Sequence, residues 1–184
     1  KSTAEDLLFN RALPLNSYKT SRFTLDKDSP NALVMQTSIG QGNTLVSPMH
    51  MALITSAIAN DGILMKPTMI DKIVNNSGDT VRETEKTEYK RLMTRNEANI
   101  LGKLMKNVVE NGTASALNGR GYTVAGKTGS AEFDENGSSH SWFVGYSNVD
   151  DPDIAIAVIV ENGGTGSEAA VPIAADVFDA YYFD

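Results

Sequence analysis

One stretch, from Gly119 to Phe133, carries the residues of this sequence that are best suited to chemistry, and it reads GRGYTVAGKTGSAEF. From Gly121 it matches G-x-x-x-x-G-K-T, a loop whose backbone N–H groups hold the phosphates of a nucleotide. From Lys127 it reads K-T-G-S, which places an ammonium group, two hydroxyls and a glycine side by side. The two patterns need different local structures, so the surrounding elements decide between them.

The nucleotide interpretation requires a loop that follows a strand and opens a helix, because the helix N-terminus holds the phosphates. Here the interior of the loop, residues 122–125, is Tyr-Thr-Val-Ala and favours a strand. After Thr128 come Gly129 and a run of turn formers, with no helical stripe of apolar residues. The segment IAVIVE could imitate a second nucleotide motif. A nucleotide hydrolase is therefore the less favoured alternative.

The K-T-G-S interpretation needs only an exposed strand, and it is typical of enzymes that acylate a serine with a peptide or a β-lactam. In such a site Lys127 supplies positive charge for a substrate carboxylate and assists proton transfer, and Thr128 offers that carboxylate a hydroxyl. Gly129 leaves room for a peptide to lie against the strand edge. The N–H of Ser130 is one of two donors to the oxyanion, worth about 3 kcal/mol in comparable enzymes. The tripeptide alone also fits an ordinary strand with a glycine bulge.

Composition narrows the class of protein. A chain of 184 residues suits one domain, and its net charge of −7 argues against nucleic-acid binding. Absence of cysteine excludes disulfides and thiolate chemistry, and His50 and His140 lie too far apart to suggest a metal site or a Ser-His-Asp triad. We expect no metal and no cofactor. No apolar run reaches the roughly 18 residues needed to cross a bilayer.

Helices are predicted on both sides of the motif. Ser47 and Pro48 begin one that ends before Gly62, and Thr94 with Glu97 forms a capping box for a second that ends at Gly112. A short helix is expected within residues 2–10 and a last one from about Val171 to Tyr182, whereas residues 11–43 show no period. The inward stripes predicted for the three longer helices are Met51, Ile54, Ala57 and Ile58; Leu101, Leu104, Met105 and Val108; and Ile173, Ala174, Val177, Phe178 and Tyr181.

Strands fill much of the remainder. TMIDKIVNNSGDTVRETE predicts a hairpin, and YTVAGKTGSAEF, SWFVGYS and DIAIAVIVE predict an antiparallel meander, because their links are short. The last of these strands is apolar on both faces, so we expect helices above and below it and one edge left unpaired. The sequence therefore predicts an α/β fold of the α+β type, an antiparallel sheet meander covered by helices.

The order of several segments adds to this interpretation. SIGQGNTLVSPMHMALITSAIANDGILMKPTMI, ENGTA, AGKTGSAE, SWFVGYS and IAVIVE resemble, in that order, the C-terminal half of the transpeptidase domain of class B penicillin-binding proteins. The resemblance runs from about residue 5 to residue 182. It implies part of a serine D,D-transpeptidase fold, acylated by β-lactams, with residues 127–130 as the third active-site motif. Ser38 to Asn43 would form a conformationally demanding loop near the helical part of the domain, in which Gly40 and Gly42 allow unusual backbone angles.

The same resemblance exposes what the sequence lacks. The family's nucleophile lies in an S-x-x-K motif on a helix, followed by S-x-N, and both precede the portion matched here. TEYK, from Thr87 to Lys90, and SPN, from Ser29 to Asn31, imitate these motifs in the wrong order and are interpreted as chance. We therefore expect residues 1–184 to be a single incomplete transpeptidase domain that is inactive alone. A non-catalytic binding or sensor module is the alternative.

Partners and location follow from the resemblance. The resemblance implies that the intact protein binds peptidoglycan stem peptides and β-lactams and no nucleic acid. It also implies a location at the extracytoplasmic face of a bacterial membrane, to which an N-terminal segment would anchor the protein. The isolated chain is expected to self-associate or to pair with the missing N-terminal part. His140 is expected at a rim rather than in catalysis, and one of Trp142 and Phe143 in the core. Glu132, Asp134 and Glu135 are expected in a solvated turn.

Overall fold

The computed structural model describes residues 2–15, 18–133 and 139–184. The α-helices are α1 (Ser2–Asp6), α2 (Asn31–Ser38), α3 (Pro48–Ala59), α4 (Arg95–Asn111) and α5 (Val171–Phe183). The strands are β1 (Ile63–Met65), β2 (Lys72–Val74), β3 (Thr80–Glu83), β4 (Glu88–Arg91), β5 (Val124–Glu132), β6 (Ser139–Ser147) and β7 (Ala155–Val160). A short 3₁₀ helix covers Ser115–Leu117, and a π-helix covers Gly166–Ala170. Asp134 and Glu135 of the predicted turn lie outside the described residues.

Strands β5, β6 and β7 form an antiparallel sheet in that order, which confirms the predicted meander. The register pairs Lys127 with Val144 and Ser130 with Ser141. Among the described strands, β5 and β7 each pair only with β6, so each presents one open edge. The predicted hairpin is confirmed as the β2–β3 pair, and a further antiparallel pair joins β1 to β4.

Helices cover both faces of this sheet. Helix α3 packs against β6 and β7, and α4 packs against β5. On the other face, α5 and the π-helix cover a core that includes the fully buried Phe143 and Phe178. Ile156 and Val158 of β7 contact this core, whereas Ala155 packs on the α3 side. The predicted helical cover on both faces of the third strand is therefore confirmed, but its residues are half-buried rather than buried.

Local capping signals are confirmed at α3 and α4. The Ser47 hydroxyl accepts a hydrogen bond from the backbone N–H of His50 at 3.2 Å, with Pro48 at the first helical position. Thr94 and Glu97 form a full capping box, in which each side chain accepts a backbone N–H of the other residue. These contacts satisfy N–H groups that no helical carbonyl can reach. None of the helices described is long and apolar enough to span a bilayer.

Two predictions about helices are corrected. Helix α2 lies inside residues 11–43, where the sequence shows no helical periodicity. None of its residues is buried, so the helix needs no stripe of apolar residues by which it could be predicted. The predicted stripes of α4 and α5 are wrong in part, because several of the predicted residues are exposed while the small residues Ala98, Gly102 and Ala175, which the stripes omitted, are buried. Exposed against the prediction are Leu101, Leu104, Ile173, Val177 and Tyr181, whereas the buried residues of these helices are Ala98, Gly102, Met105, Val109, Val171, Ala174, Ala175 and Phe178.

The candidate active site

Residues 127–130 lie in the second half of β5, extended along the open edge of the sheet. The strand begins at Val124 and continues to Glu132, so the G-x-x-x-x-G-K-T pattern enters a strand and opens no helix. The geometry that a phosphate-binding loop requires is therefore missing at these residues, and the nucleotide alternative is not favoured. The strand geometry that K-T-G-S requires is present.

The alternation of the strand sends the four residues to two faces. Ala125, two positions before Lys127, packs with Met105 and Tyr146, which places Lys127 and Gly129 on the face that α3 and α4 cover. Thr128 and Ser130 are on the opposite face, beside the π-helix. A substrate at the open edge would thus meet the ammonium group from one side and the two hydroxyls from the other.

An open groove of about 710 Å³ runs along the Lys127 face of the sheet, between it and the loop at residues 39–46. Its lining combines a polar end with an apolar floor and consists of Ile39, Gly40, Gln41, Thr44, Leu45, Val46, Met51, Lys127, Thr128, Gly129, Ser130, Ala131, His140, Trp142, Val144 and Ile159. A site with a few convergent polar groups over apolar walls is typical of ligand binding.

Lys127 lines this groove. Its Nζ donates a hydrogen bond to the backbone oxygen of Thr128 at 2.6 Å. Among the residues that the structure describes, no Asp or Glu lies within ion-pair distance of Lys127. The ammonium charge is thus available to an anion entering the groove.

Thr128 is held from behind by a residue that the sequence interpretation did not single out. Its hydroxyl lies 2.6 Å from the hydroxyl of Thr113, and the Thr128 side chain is only 9% exposed. Since a hydroxyl both donates and accepts, the Thr128 hydroxyl can accept a hydrogen bond from Thr113 and still donate one toward the open edge. Thr113 belongs to the ENGTA segment that contributes to the family resemblance. The sequence thus marked this segment but did not indicate that Thr113 contacts Thr128.

The π-helix lies directly over the motif because residue 166 is glycine. A Cβ at Gly166 would stand 2.6 Å from the Trp142 carbonyl oxygen, 2.8 Å from Thr128 Cβ and 2.9 Å from the Gly129 nitrogen. The fully buried Ser141 ties this helix to β6: its hydroxyl donates to the Thr165 carbonyl at 2.7 Å and accepts the Ala170 N–H at 3.0 Å. π-Helical turns are frequent at functional sites.

The glycine loop reaches the motif through one side chain. Gln41 Nε2 donates a hydrogen bond to the Ser130 carbonyl oxygen at 3.0 Å. The predicted unusual backbone angles are present, since Gly40 and Gly42 have φ of +82° and +81°. The loop therefore borders the open edge of β5, as an active-site wall would.

Residues expected at the rim lie there. The His140 ring stacks on Phe133 at 4.3 Å, and its Nδ1 accepts the backbone N–H of Asn162 at 3.2 Å. Phe143 is fully buried, whereas its neighbour Trp142 lines the groove. The expected division between these two aromatic residues is thus observed.

The chance matches to the missing motifs have other roles. Thr87 and Lys90 lie at β4 rather than on a helix, and Lys90 Nζ donates to the Asp6 carbonyl at 3.0 Å. Ser29 exchanges hydrogen bonds with Asp26 in a local turn, with its hydroxyl 3.0 Å from a carboxylate oxygen. Neither pair lines the groove. Within the described residues, the site therefore holds no serine activated by a lysine.

Comparison with known proteins agrees with this geometry. Residues 16–179 match the family described as the penicillin binding protein transpeptidase domain. Penicillin-binding protein 3 of Bacillus subtilis is 35% identical over 144 residues, which is 74% of this chain and 20% of that protein. The peptidoglycan D,D-transpeptidase PbpA of Mycolicibacterium smegmatis is 32% identical over 153 residues, covering 77% of this chain and 30% of that protein.

Solved structures give the same result. The chain superimposes on the crystal structure of PBPA from Mycobacterium tuberculosis with a TM-score of 0.82 at 27% identity, covering 97% of this chain and 44% of that one. The imipenem acyl-enzyme complex of penicillin-binding protein A from M. tuberculosis gives a TM-score of 0.81 at 27% identity, covering 98% of this chain and 41% of that one. The chain thus spans less than half of these structures and under a third of the two curated relatives above. By sequence and by fold, it belongs to the transpeptidase domain family of class B penicillin-binding proteins.

Proposed function

We propose that this chain is the K-T-G-bearing part of a peptidoglycan D,D-transpeptidase, and that it supplies the carboxylate-binding and oxyanion wall of the active site. The observation that carries the proposal is the position of residues 127–130 on the open edge of β5, bordering a groove that Lys127 lines. Family membership supports the reaction class. The substrate would be a stem peptide that ends in D-Ala-D-Ala.

The proposed reaction passes through an acyl-serine. The serine Oγ of an S-x-x-K motif attacks the carbonyl of the penultimate D-Ala, its proton passes to a base, and the terminal D-Ala leaves with a proton on its amine. A neighbouring stem-peptide amine then attacks the ester, which forms the new amide and returns the serine hydroxyl. A β-lactam follows the first step only, because its opened ring remains attached to the serine.

In that reaction, residues of this chain would stabilise the negative charges of the substrate and hold the substrate in position. Lys127 and the Thr128 hydroxyl would bind the terminal carboxylate, and Gly129 would let the peptide backbone approach the strand. The Ser130 N–H would donate to the developing oxyanion, a contribution of about 3 kcal/mol in comparable enzymes. Without the serine these groups bind but cannot form an ester, so we propose that residues 1–184 form a single incomplete domain that is inactive alone.

The proposal also concerns assembly. Every residue of β7 is half-buried although helices cover both of its faces, because among the described strands only β6 pairs with it. An apolar strand edge of this kind tends to pair with another strand. We propose that it pairs with an N-terminal part of the intact protein, and with another copy when that part is absent. Light scattering of the isolated chain should show association, and a monomer over a wide concentration range would count against it.

The intact protein would work where peptidoglycan is built, at the extracytoplasmic face of the bacterial membrane, with an anchor outside this chain. Fluorescent penicillin labelling tests the proposed function. We expect no adduct on the isolated chain, and a hydroxylamine-sensitive adduct on the full-length gene product that Lys127→Ala strongly reduces. A stable adduct on the isolated chain would overturn the assignment of the nucleophile. A full-length product that carries no S-x-x-K and takes no label would favour the binding or sensor module.

A further inference from the structure

The Ser130 carbonyl is occupied by a side chain of this protein, at the place where a bound peptide would need it. Ser130 lies opposite Ser141 in the sheet, yet its carbonyl oxygen accepts Gln41 Nε2 from outside. In an antiparallel strand, one residue turns its N–H and its C=O to the same side. The Ser130 N–H therefore also points to the open edge.

A peptide that adds to this edge would exchange two hydrogen bonds with Ser130. Its attacked carbonyl would accept the Ser130 N–H, and the N–H of the same substrate residue would donate to the Ser130 carbonyl, as in any hydrogen-bonded antiparallel pair. The second of these positions is the one that Gln41 Nε2 fills. A primary amide N–H has the same donor chemistry as a peptide N–H.

Gln41 is held at this place by the end of helix α2. Its backbone N–H bonds to the Gln36 carbonyl at 2.9 Å, and the Gly40 N–H bonds to the Thr37 carbonyl at 3.0 Å. With Gly40 at φ +82°, this is a Schellman motif, in which the left-handed residue lets two carbonyls of the last turn be satisfied. The backbone is thus fixed by the helix, and only the Gln41 side chain has to rotate to release Ser130.

We propose that the Gln41 side-chain amide stands in for the substrate N–H on the Ser130 carbonyl and must be displaced by acyl donors that carry this N–H. The proposal rests on the proposed function. Gln41 thereby selects among ligands: those with an N–H at this position replace its hydrogen bond, and those without one leave it in place. The contact also keeps the carbonyl satisfied while the edge is empty.

Acylation of the full-length gene product by two classes of β-lactam tests this. One class carries an acylamino side chain, whose N–H matches that of the substrate residue; the other carries a hydroxyethyl group there and has no such N–H. Removing Gln41 frees the carbonyl, so Gln41→Ala should raise the acylation efficiency of the acylamino ligand roughly threefold to tenfold, the range of one modest hydrogen bond. The hydroxyethyl ligand should change less than about twofold.

Gln41→Met should behave like Gln41→Ala toward the acylamino ligand, because its uncharged thioether side chain has no hydrogen to donate to the carbonyl. Asn43→Ala, in the same loop but outside the groove lining, is the matched control and should leave both efficiencies unchanged. If Gln41→Ala lowers the acylation efficiency of both ligands equally, Gln41 only supports the structure of the site. If the acylation efficiencies do not change, the contact between Gln41 and Ser130 has no effect. Either result overturns the inference. A wild type that no β-lactam acylates would overturn the proposed function and this inference with it.

Discussion

At the scale of single residues, the site depends on side chains that do not belong to the motif itself. Thr113 backs Thr128, Ser141 fixes the π-helix, and Gln41 caps the edge carbonyl. The K-T-G-S strand was predicted because its chemistry and its β-propensity are local. These supporting contacts were not predicted, since they join residues from 15 to 89 positions apart.

The clearest energetic test at this scale is Ser141→Ala. The substitution leaves the Ala170 N–H and the Thr165 carbonyl without the hydroxyl that now satisfies both, at a fully buried position. We expect the free energy of unfolding, measured by urea denaturation of the isolated chain, to fall by about 1–3 kcal/mol.

Ser139→Ala is the matched control on the same strand. Its hydroxyl donates to the Gly164 carbonyl at 2.8 Å in a partly exposed position, so we expect a loss below about 1 kcal/mol. If both variants unfold at the same urea concentration, Ser141 does not hold the π-helix in the way described.

At the scale of elements, the docking of α5 depends on a polar cluster at the rim of the core. The Tyr122 hydroxyl donates to the Asp179 carboxylate at 2.6 Å, and Arg120 forms an ion pair with the same carboxylate. Burial, with help from the bond to Asp179, raises the pKa of Tyr122 to about 12. The Tyr122 hydroxyl and then Arg120 lower the pKa of Asp179.

These shifts predict how stability changes with pH. Because the pKa of Tyr122 is higher in the folded chain than the value of about 10 in an unfolded one, its contribution is complete below pH 10 and is lost as the pH rises toward 12. For Asp179 the sign is opposite, and the contribution is lost in acid. Urea denaturation from pH 8 to 11.5 should show the alkaline loss.

Tyr122→Phe should lower the free energy of unfolding at pH 8 by about 1 kcal/mol, since one hydrogen bond disappears, and should flatten the alkaline slope. Part of the slope will remain, because burial also raises the pKa values of Tyr146 and Tyr182. Parallel slopes for the variant and the wild type would show that Tyr122 does not titrate in this range.

Element boundaries were predictable where the signal is local and not where it depends on packing. Ser47 and Thr94 identify their helices, because a cap needs only its own turn. The buried faces of α4 and α5 were predicted in part only, since periodicity shows where apolar residues lie and not which of them meet the sheet. Helix α2 was missed because it buries no residue at all.

At the scale of the whole molecule, the fold was predictable from strand order and short links, but the relation of the loop at residues 39–46 to β5 was not. That relation creates the groove, and it joins segments nearly ninety residues apart. The groove, the open edge of β5 and the half-buried edge of β7 all lie where further chain can pack. Together they support a domain completed by a segment that brings the serine.

The most direct test of this account is a crystal structure of the full-length gene product acylated by penicillin. We predict an ester on the serine of an S-x-x-K motif, with the acyl carbonyl oxygen about 2.7–3.1 Å from the Ser130 nitrogen and the penicillin carboxylate beside Lys127 and Thr128. An ester whose carbonyl lies away from β5, or a carboxylate bound by other residues, would contradict the proposed role of this strand.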